Sequence, residues 1–402
     1  MRPIRETIPL DEARDLMREA TAPIARTELV PLEAAHQRVL ARPIVAGQDV
    51  PPFSRAAMDG YAVVASDTFG AGPFDPKVLR LIEKVYTGQV PSQSVVHGGC
   101  TEIATGAPMP PGADAVVMVE ETERDDHGEV RVFSPVYPGQ NVGRQGADIH
   151  AGQALLDAGD HLTSSRVGAI AALGFDQVEV FARPRVAILS TGNEIVAPGR
   201  PLEPGQIYDI NRFTLGAIIA EHGAVPVPLP TSADTLEDLN RALDAALAED
   251  LVIFSGGSSV GERDLILDAI AARGEIVFHG IAVKPGKPTL FGIVEGTPVV
   301  GMPGYPTSCL SNGYMLVIPL LRRLARLPEV VQRSVKLPLG QRVVSTTGRH
   351  QFYTVRIVNG TAMPAFKASG DITSMSQADG YIEIPAQTDI VEKGQMVEVI
   401  LF

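Results

Sequence analysis

The spacing of apolar positions changes several times along the chain, and each change predicts a different kind of element. From Ile8 onward Leu16, Met17 and Ala20 recur at helical spacing behind Asp11, which stands where an N-cap belongs, and a second helix is predicted from Pro31 to Leu40. Between Ala46 and Gly146 the runs are short and strand-like (Tyr61–Val64, Lys77–Val85, Ala115–Glu120, Val130–Phe133) and are cut by Gly and Pro, the texture of a small inserted β domain. From Asp148 to Phe181 the pattern reads as helix again, with Ser164 to Gly174 closing on a glycine C-cap.

The most regular stretch is 184–327. Strands are predicted at Val186–Ser190, Val225–Leu229, Leu251–Ser255, Glu275–Val283 and Val299–Gly301, and helices at Asn211–His222, Thr235–Glu249, from about Gly261, and at Tyr305–Leu327. Such alternation predicts a parallel sheet covered on both faces, with its ligand beyond the carboxyl ends of the strands. The tail is strand-like again at Val355–Val358, Tyr381–Ile384 and Met396–Leu401.

Composition narrows the function. The 402 residues are 45% hydrophobic and 20% charged, proportions of a folded chain long enough for two to four domains. A net charge of −13 argues against general nucleic-acid binding, which needs a basic footprint. Cys100 and Cys309 form no CxxC and no disulfide framework, and read as buried thiols in a reducing compartment. The N-terminus lacks the apolar core of a secretory signal, and no apolar run reaches membrane-spanning length, so a cytosolic protein is expected. The eight His show no metal spacing.

Three loops follow the predicted strands: Ser190-Thr-Gly-Asn-Glu194, Ser255-Gly-Gly-Ser-Ser-Val-Gly-Glu-Arg-Asp264 and Gly301-Met-Pro-Gly-Tyr-Pro-Thr-Ser308. Glycine there lets backbone N–H groups approach a phosphate, and a helix N-terminus behind it favours the anion. Tight turns use the same residues, so one loop alone says little; three on one sheet edge say more. Neither a P-loop nor a dinucleotide fingerprint is present. Lys284-Pro-Gly-Lys-Pro288 places two cations on a rigid turn, suited to a phosphate or oxyanion, and Glu194, Asp264 and Asp59 are carboxylates of the kind that join phosphates around Mg²⁺. A helix cap is the competing reading for Asp264.

In order along the chain, Pro52-Phe-Ser-Arg-Ala-Ala-Met-Asp-Gly-Tyr-Ala62, Ile103-Ala-Thr-Gly-Ala-Pro-Met-Pro-Pro-Gly-Ala-Asp-Ala-Val-Val117, Gly139–Ile149 and the loops just quoted resemble the molybdopterin molybdenumtransferase family (MoeA and the gephyrin E-domain) nearly end to end. The resemblance implies an elongated helical domain from 1–45 and 147–181, an inserted β domain at 46–146, a parallel α/β molybdopterin-binding domain at 182–328 and a C-terminal β barrel at 329–402. It also implies a homodimer with an active site shared between subunits, and contacts with a molybdopterin adenylyltransferase and with molybdoenzyme apoproteins. The implied reaction inserts molybdate, or tungstate, into adenylylated molybdopterin with Mg²⁺-dependent release of AMP.

By position, the resemblance assigns catalysis to Asp59, Thr105, Asp148, Glu194, Asp264 and Lys284, with Glu194, Asp264 and Asp59 as metal ligands. Substrate binding falls to Ser190, Thr191 and Gly192, to Ser255, Gly256, Gly257, Ser258 and Gly261, to Pro285, Gly286 and Lys287, to Pro303, Gly304 and Ser308, and to Ser369. A further acidic family position falls near Asp234, one residue out of step. Three positions depart from the pattern: Ala56 replaces a serine, Gly280 a lysine and Thr354 an arginine, with His279, Arg349 and Arg356 close by. Two other readings stay open: adenylylation of molybdopterin, as the isolated α/β domain does in a sister family, and a molybdopterin-binding scaffold without turnover.

Overall fold

The computed structural model describes residues 6–256 and 265–402. The chain divides into two compact units, one formed by Val30–His36 and Leu40–Val178, the other by Met1–Leu29, Gln37–Val39 and Glu179–Phe402.

The first unit is built on a six-stranded sheet in the order Ala115–Met118, Gly60–Val63, Gly99–Ile103, Lys77–Val85, Glu129–Val132, Thr122–Arg124. Its Gly60–Val63 strand is buried throughout because both faces are covered: Tyr61 and Val63 enter one apolar cluster with Leu79, Val117 and Val130, while Ala62 enters another with Val85, Ile103 and Val116. Gly99–Ile103 is a central strand not anticipated from sequence, since only Cys100 and Ile103 carry its apolar signal. The helix Ser164–Ala172 forms as expected, capped by Thr163 Oγ1, with Gly174 at φ 83° beyond its end. The rest of 148–181 is not helical: Ala154–Leu156 and Gln177–Phe181 are strands, the latter alternating Val178 and Val180 inward. The helix predicted over Pro31–Leu40 is also absent. Thr27–Pro31 is a strand, and only the turn Leu32–Ala34 is helical before Gln37 takes φ 62°.

The second unit opens with the helix Leu10–Glu19, whose N-cap position is Pro9; Asp11 lies inside the first turn, where its charge suits the helix dipole. The central sheet runs Val225–Pro228, Arg185–Ser190, Leu251–Ser255, Thr297–Met302, Leu290–Val294, Gly274–His279. The first four strands are parallel; the last two joins are antiparallel, which corrects the expectation of a wholly parallel sheet. The reason is local. Glu295 and Gly296 take φ 51° and 86°, the left-handed pair of a two-residue hairpin turn, and a turn that short reverses the chain. The predicted Glu275–Val283 strand is likewise split at Gly280 (φ 103°), after which Val283–Lys284 leaves for another sheet.

Alternate residues of the buried strands feed two cores. Val186, Ile188, Leu251 and Ile253 meet the helices Asn211–Glu221 and Ile318–Leu324, whereas Ala187, Leu189, Val252 and Phe254 meet Leu236–Ala246 and Leu265–Arg273. The last long helix forms as predicted, from Pro306 to Leu324, with a π-type turn at Gly313–Val317. Val283–Lys284 joins four strands from residues 334–401 in a second sheet, in the order Val283–Lys284, His350–Val358, Gly380–Ile384, Met396–Leu401, Ser334–Pro338. Its own core holds Leu339, Val355, Ile382, Ile384 and Val399.

Asp250, at the head of the Leu251–Ser255 strand, receives two hydrogen bonds from Arg26 (2.5 and 2.8 Å) and one from Arg185 N (2.8 Å). Burial pushes its carboxyl up, but those donors outweigh it and hold the group below the usual aspartate range. Asp250→Ala is expected to cost about 2 kcal/mol, read from the denaturant midpoint. Because the folded-state pKa is depressed, that stabilisation is complete above the ordinary aspartate pKa and fades as pH falls through the lowered value; the variant should lack this acid dependence.

Candidate functional site

Ser190, Ser255 and Met302 end three adjacent parallel strands in matching register, so the three loops leave the sheet side by side. Thr191 N donates to the Ser255 carbonyl (3.0 Å), tying the first two together. Gly256 sits at φ 103°, and a side chain there would drive into the Thr191 carbonyl and hydroxyl. Only glycine fits that crossing. Gly192, at φ 139°, is roofed by Glu194, whose carboxylate oxygens would be 2.7–2.8 Å from any Cβ at 192. A short parallel ladder, Ile195–Val196 with Ile207–Tyr208, and the bond from Ile207 N to the Glu194 carbonyl (2.9 Å) fix the main chain beside this acid. Asp234 N donates to Asn193 Oδ1 (3.4 Å), and the Asp234 carboxyl is raised above its ordinary value by burial first and by the charge of Glu194 second. Gly257, Ser258, Gly261 and Asp264 lie outside the described residues.

Pro303 and Gly304 lead into the Pro306–Asn312 helix, with proline at a position that needs no N–H donor. Thr307 N donates to the Ser369 carbonyl (3.0 Å) and Thr307 Oγ1 to the Asp371 carbonyl (2.9 Å), so the chain brings Ser369 against this loop from 62 residues away in sequence. Ser308 is buried in the same helix.

The Lys284–Pro288 turn reaches the same edge, because His279, Leu290 and Gly301 are register partners across the two antiparallel joins. Lys284 itself pairs with Gln351 of the second sheet, and its Nζ donates to Thr346 Oγ1 (2.8 Å). The Lys284–Pro285 bond is cis and Gly286 stands at φ 105°. Asn312 Nδ2 clasps the turn through the Gly286 carbonyl (2.8 Å) and Thr289 Oγ1 (2.6 Å), while the Lys287 carbonyl accepts from Ile281 N and Thr289 N.

In the other unit Asp59 Oδ1 accepts from Thr105 N (2.6 Å) and Thr105 Oγ1 (2.8 Å). These bonds, the backbone one first, hold the Asp59 carboxyl below its ordinary range. Two predicted residues 46 positions apart are thus a single contact. Asp148 is exposed, with its N–H on the Val50 carbonyl (3.0 Å).

Three family models match in sequence order: the MoeA N-terminal region (domain I and II) over residues 8–174, a probable molybdopterin binding domain over 187–323, and the MoeA C-terminal region (domain IV) over 336–402. A protein of Mycobacterium tuberculosis named molybdopterin molybdenumtransferase 2 is 35% identical over 380 residues, which are 92% of this chain and 94% of that one. The chain belongs to the MoeA family.

The Haemophilus influenzae molybdopterin molybdenumtransferase is 37% identical across 78% of this chain and 77% of its own length. A crystal structure of a molybdopterin biosynthesis MoeA protein from Pyrococcus horikoshii matches with a TM-score of 0.85 at 41% identity, covering 98% of this chain and 99% of that one. Among the described residues, no helix is long and apolar enough to cross a membrane.

The three residues expected to depart from the family pattern, Ala56, Gly280 and Thr354, each have a structural setting of their own. Ala56 is buried and tied by its backbone to Ala107 and Gly106. Gly280, at φ 103°, makes the bend that splits the strand, a conformation that disfavours any side chain. Thr354 is fully buried in the His350–Val358 strand, with a hydroxyl that has no partner among the described residues. An arginine there would bury its charge, whereas Arg356, two residues on, is exposed.

Two residues that sequence reading passed over also stand at the site. Asp209 Oδ1 accepts from Arg212 N (3.1 Å) at the start of the Asn211–Glu221 helix, and Asn211 Nδ2 donates to the Gly304 carbonyl (2.8 Å). Their only sequence signal is an Asp-x-Asn pair ahead of a helix, which ordinary capping also produces.

Proposed function

We propose that this chain inserts molybdate into adenylylated molybdopterin, releasing AMP and leaving molybdenum on the dithiolene. The observation that supports this best is the shared edge: loops from Ser190, Ser255 and Met302 and the lysine-bearing turn all meet at one end of the sheet. Backbone donors and Lys284 suit an anionic, phosphate-bearing ligand, and no covalent nucleophile is required. Thr191, Gly192 and Gly256 line the approach, with Pro285, Gly286 and Lys287 on the cationic side and Pro303, Gly304, Ser308 and Ser369 on the third. Asp59, Thr105 and Asp148 complete the site from the second subunit of a homodimer.

The donor set fits Mg²⁺. The charge of Glu194 helps to raise the Asp234 carboxyl, and among the described residues no group of three or more His, Cys, Asp or Glu could hold a metal without the substrate's oxygens. Two carboxylates with the substrate's phosphate oxygens are what a small hard cation takes. Glu194 and Asp234 would hold the ion, with Asp264 and Asp59 as further ligands by family position. When bound, it supplies charge neutralisation at the phosphoanhydride. Lys284, fixed by Thr346, orients the anion, and Glu194 is held at the loop by its own backbone.

The proposal includes the four-domain division given by the family: 1–45 with 147–181, 46–146, 182–328, and a C-terminal barrel at 329–402. It places the reaction in the cytosol, between a molybdopterin adenylyltransferase and the apoproteins of molybdoenzymes. The deciding experiment follows AMP release from adenylylated molybdopterin with Mg²⁺ while molybdate or tungstate is titrated. Release that depends on the oxyanion is the expected result and identifies the preferred metal. Tight binding without release under either anion would replace the enzyme with a molybdopterin carrier.

A further inference from the structure

A cavity of about 1070 Å³, ample for a small organic ligand, lies within the unit that carries the central sheet. It is separate from the strand-end loops. The helix that begins at the third loop, at Pro306, brings its far end at Arg322 and Arg323 to this cavity, and a helix over residues 306–324 is about 28 Å long. Arg322, Arg323 and Arg326 stand half-buried in the cavity wall, each anchored on a backbone carbonyl. Arg322 Nε donates to Pro328 (2.6 Å), Arg323 Nε and Nη2 to Thr21 (3.2 and 3.1 Å) and Arg326 Nε to Ile24 (2.8 Å). A guanidinium offers more N–H donors than one carbonyl can meet, so each keeps donors to spare in a fixed orientation.

The acids of the cavity do not meet these donors. Asp11 and Asp15 pair with Arg14 and Arg18 (3.2 and 2.8 Å), and among the described residues no ion pair joins Glu221 or Glu329 to Arg322, Arg323 or Arg326. Acids are not scarce in a chain with 47 of them against 34 Lys and Arg, so cations gathered without one are a local feature. His222 adds a second observation. It lines the same cavity, and its buried Nδ1 has no partner among the described residues. Burial first, and the charge of Arg322 second, hold its imidazole below the ordinary range, and burial also lowers the pKa of Arg322. Two basic groups are thus partly dehydrated side by side, an arrangement that an anion between them would relieve.

Another part of the wall is aromatic. Tyr314, Tyr381 and Phe402 line it with ring centroids 5.0–6.3 Å apart, and Phe402 is 45% exposed. Oriented guanidiniums suit phosphate oxygens, and an exposed ring suits a planar base laid against it. We propose that this cavity is a second ligand site and takes a nucleotide, with phosphate on Arg322 and Arg326 and the base against Phe402. The site stands apart from the substrate edge and holds whatever that edge binds.

The test is isothermal titration calorimetry on the full chain with AMP, adenosine and inorganic phosphate. AMP is expected to bind at least tenfold more tightly than either of the others, and to keep that affinity in Lys284→Gln, which lacks the cation of the substrate edge. Arg322→Gln should weaken AMP at least tenfold with circular dichroism unchanged. Phe402→Ala, on an exposed ring, is the second variant should the first fail to fold, and it should bring AMP down to the level of phosphate. Adenosine binding as tightly as AMP would show that the arginines hold no phosphate, and phosphate binding as tightly would show that no base is read; either overturns the inference. So does AMP binding that is lost in Lys284→Gln, or that survives undiminished in a folded Arg322→Gln or Phe402→Ala.

Discussion

Gly286→Ala is expected to destabilise the protein by about 4 kcal/mol and to abolish turnover in whatever fraction still folds. Two effects add. The left-handed φ of 105° strains any residue with a Cβ, by about 1–3 kcal/mol. The new methyl would also lie against both amide atoms of Asn312, closer than real contacts allow. Asn312 cannot swing aside cheaply, being fully buried and bound to the Gly286 carbonyl and Thr289 Oγ1, so overpacking adds about 1–3 kcal/mol more. Lys284 and Lys287 flank the substituted residue, and the turn that carries them would lose its clasp. Chemical denaturation and AMP release on the same preparation check both halves. A stable variant with normal turnover would show that the turn can re-form without its glycine.

Glu194→Gln is expected to lower turnover by about 100-fold, or ~2.7 kcal/mol of transition-state stabilisation, without a change in melting temperature. The substitution is isosteric, and the loop is held by backbone contacts with Ile207 and by the ladder beyond it. What disappears is the negative charge that Asp234 feels and that a cation there would meet. The Mg²⁺ concentration giving half-maximal rate should rise in step. Unchanged Mg²⁺ dependence with unchanged rate would remove Glu194 from the metal site.

How much of this was legible depended on how local the signal was. The three strand-end loops could be located because buried apolar runs ended in glycine, and the register of Ser190, Ser255 and Met302 then made neighbours of them. Asp59 and Thr105 could be named separately, but their contact rests on the Gly60–Val63 strand pairing with Gly99–Ile103, whose weak apolar alternation concealed it. The Leu290–Val294 hairpin strand shows in sequence only through its Glu295-Gly296 turn. Pro31–Leu40 points the opposite way: its leucines and alanines suit a helix, yet Pro31 ends a strand, only Leu32–Ala34 is helical, and the chain turns at Gln37. Asp209, Asn211 and the Thr346 anchor of Lys284 are products of tertiary packing, and nothing near them in sequence distinguishes them from ordinary caps and loop residues.

The pairing of Val283–Lys284 with His350–Gln351 has a consequence for how the protein becomes active as it is made. A ribosome releases the strand ends at 190, 255 and 302 well before residue 350 emerges, so these strands can pair while Lys284 still lacks both its strand partner and Thr346. The site gains its fixed cation only when the last sheet closes. A prematurely ended chain therefore lacks both contacts that fix Lys284.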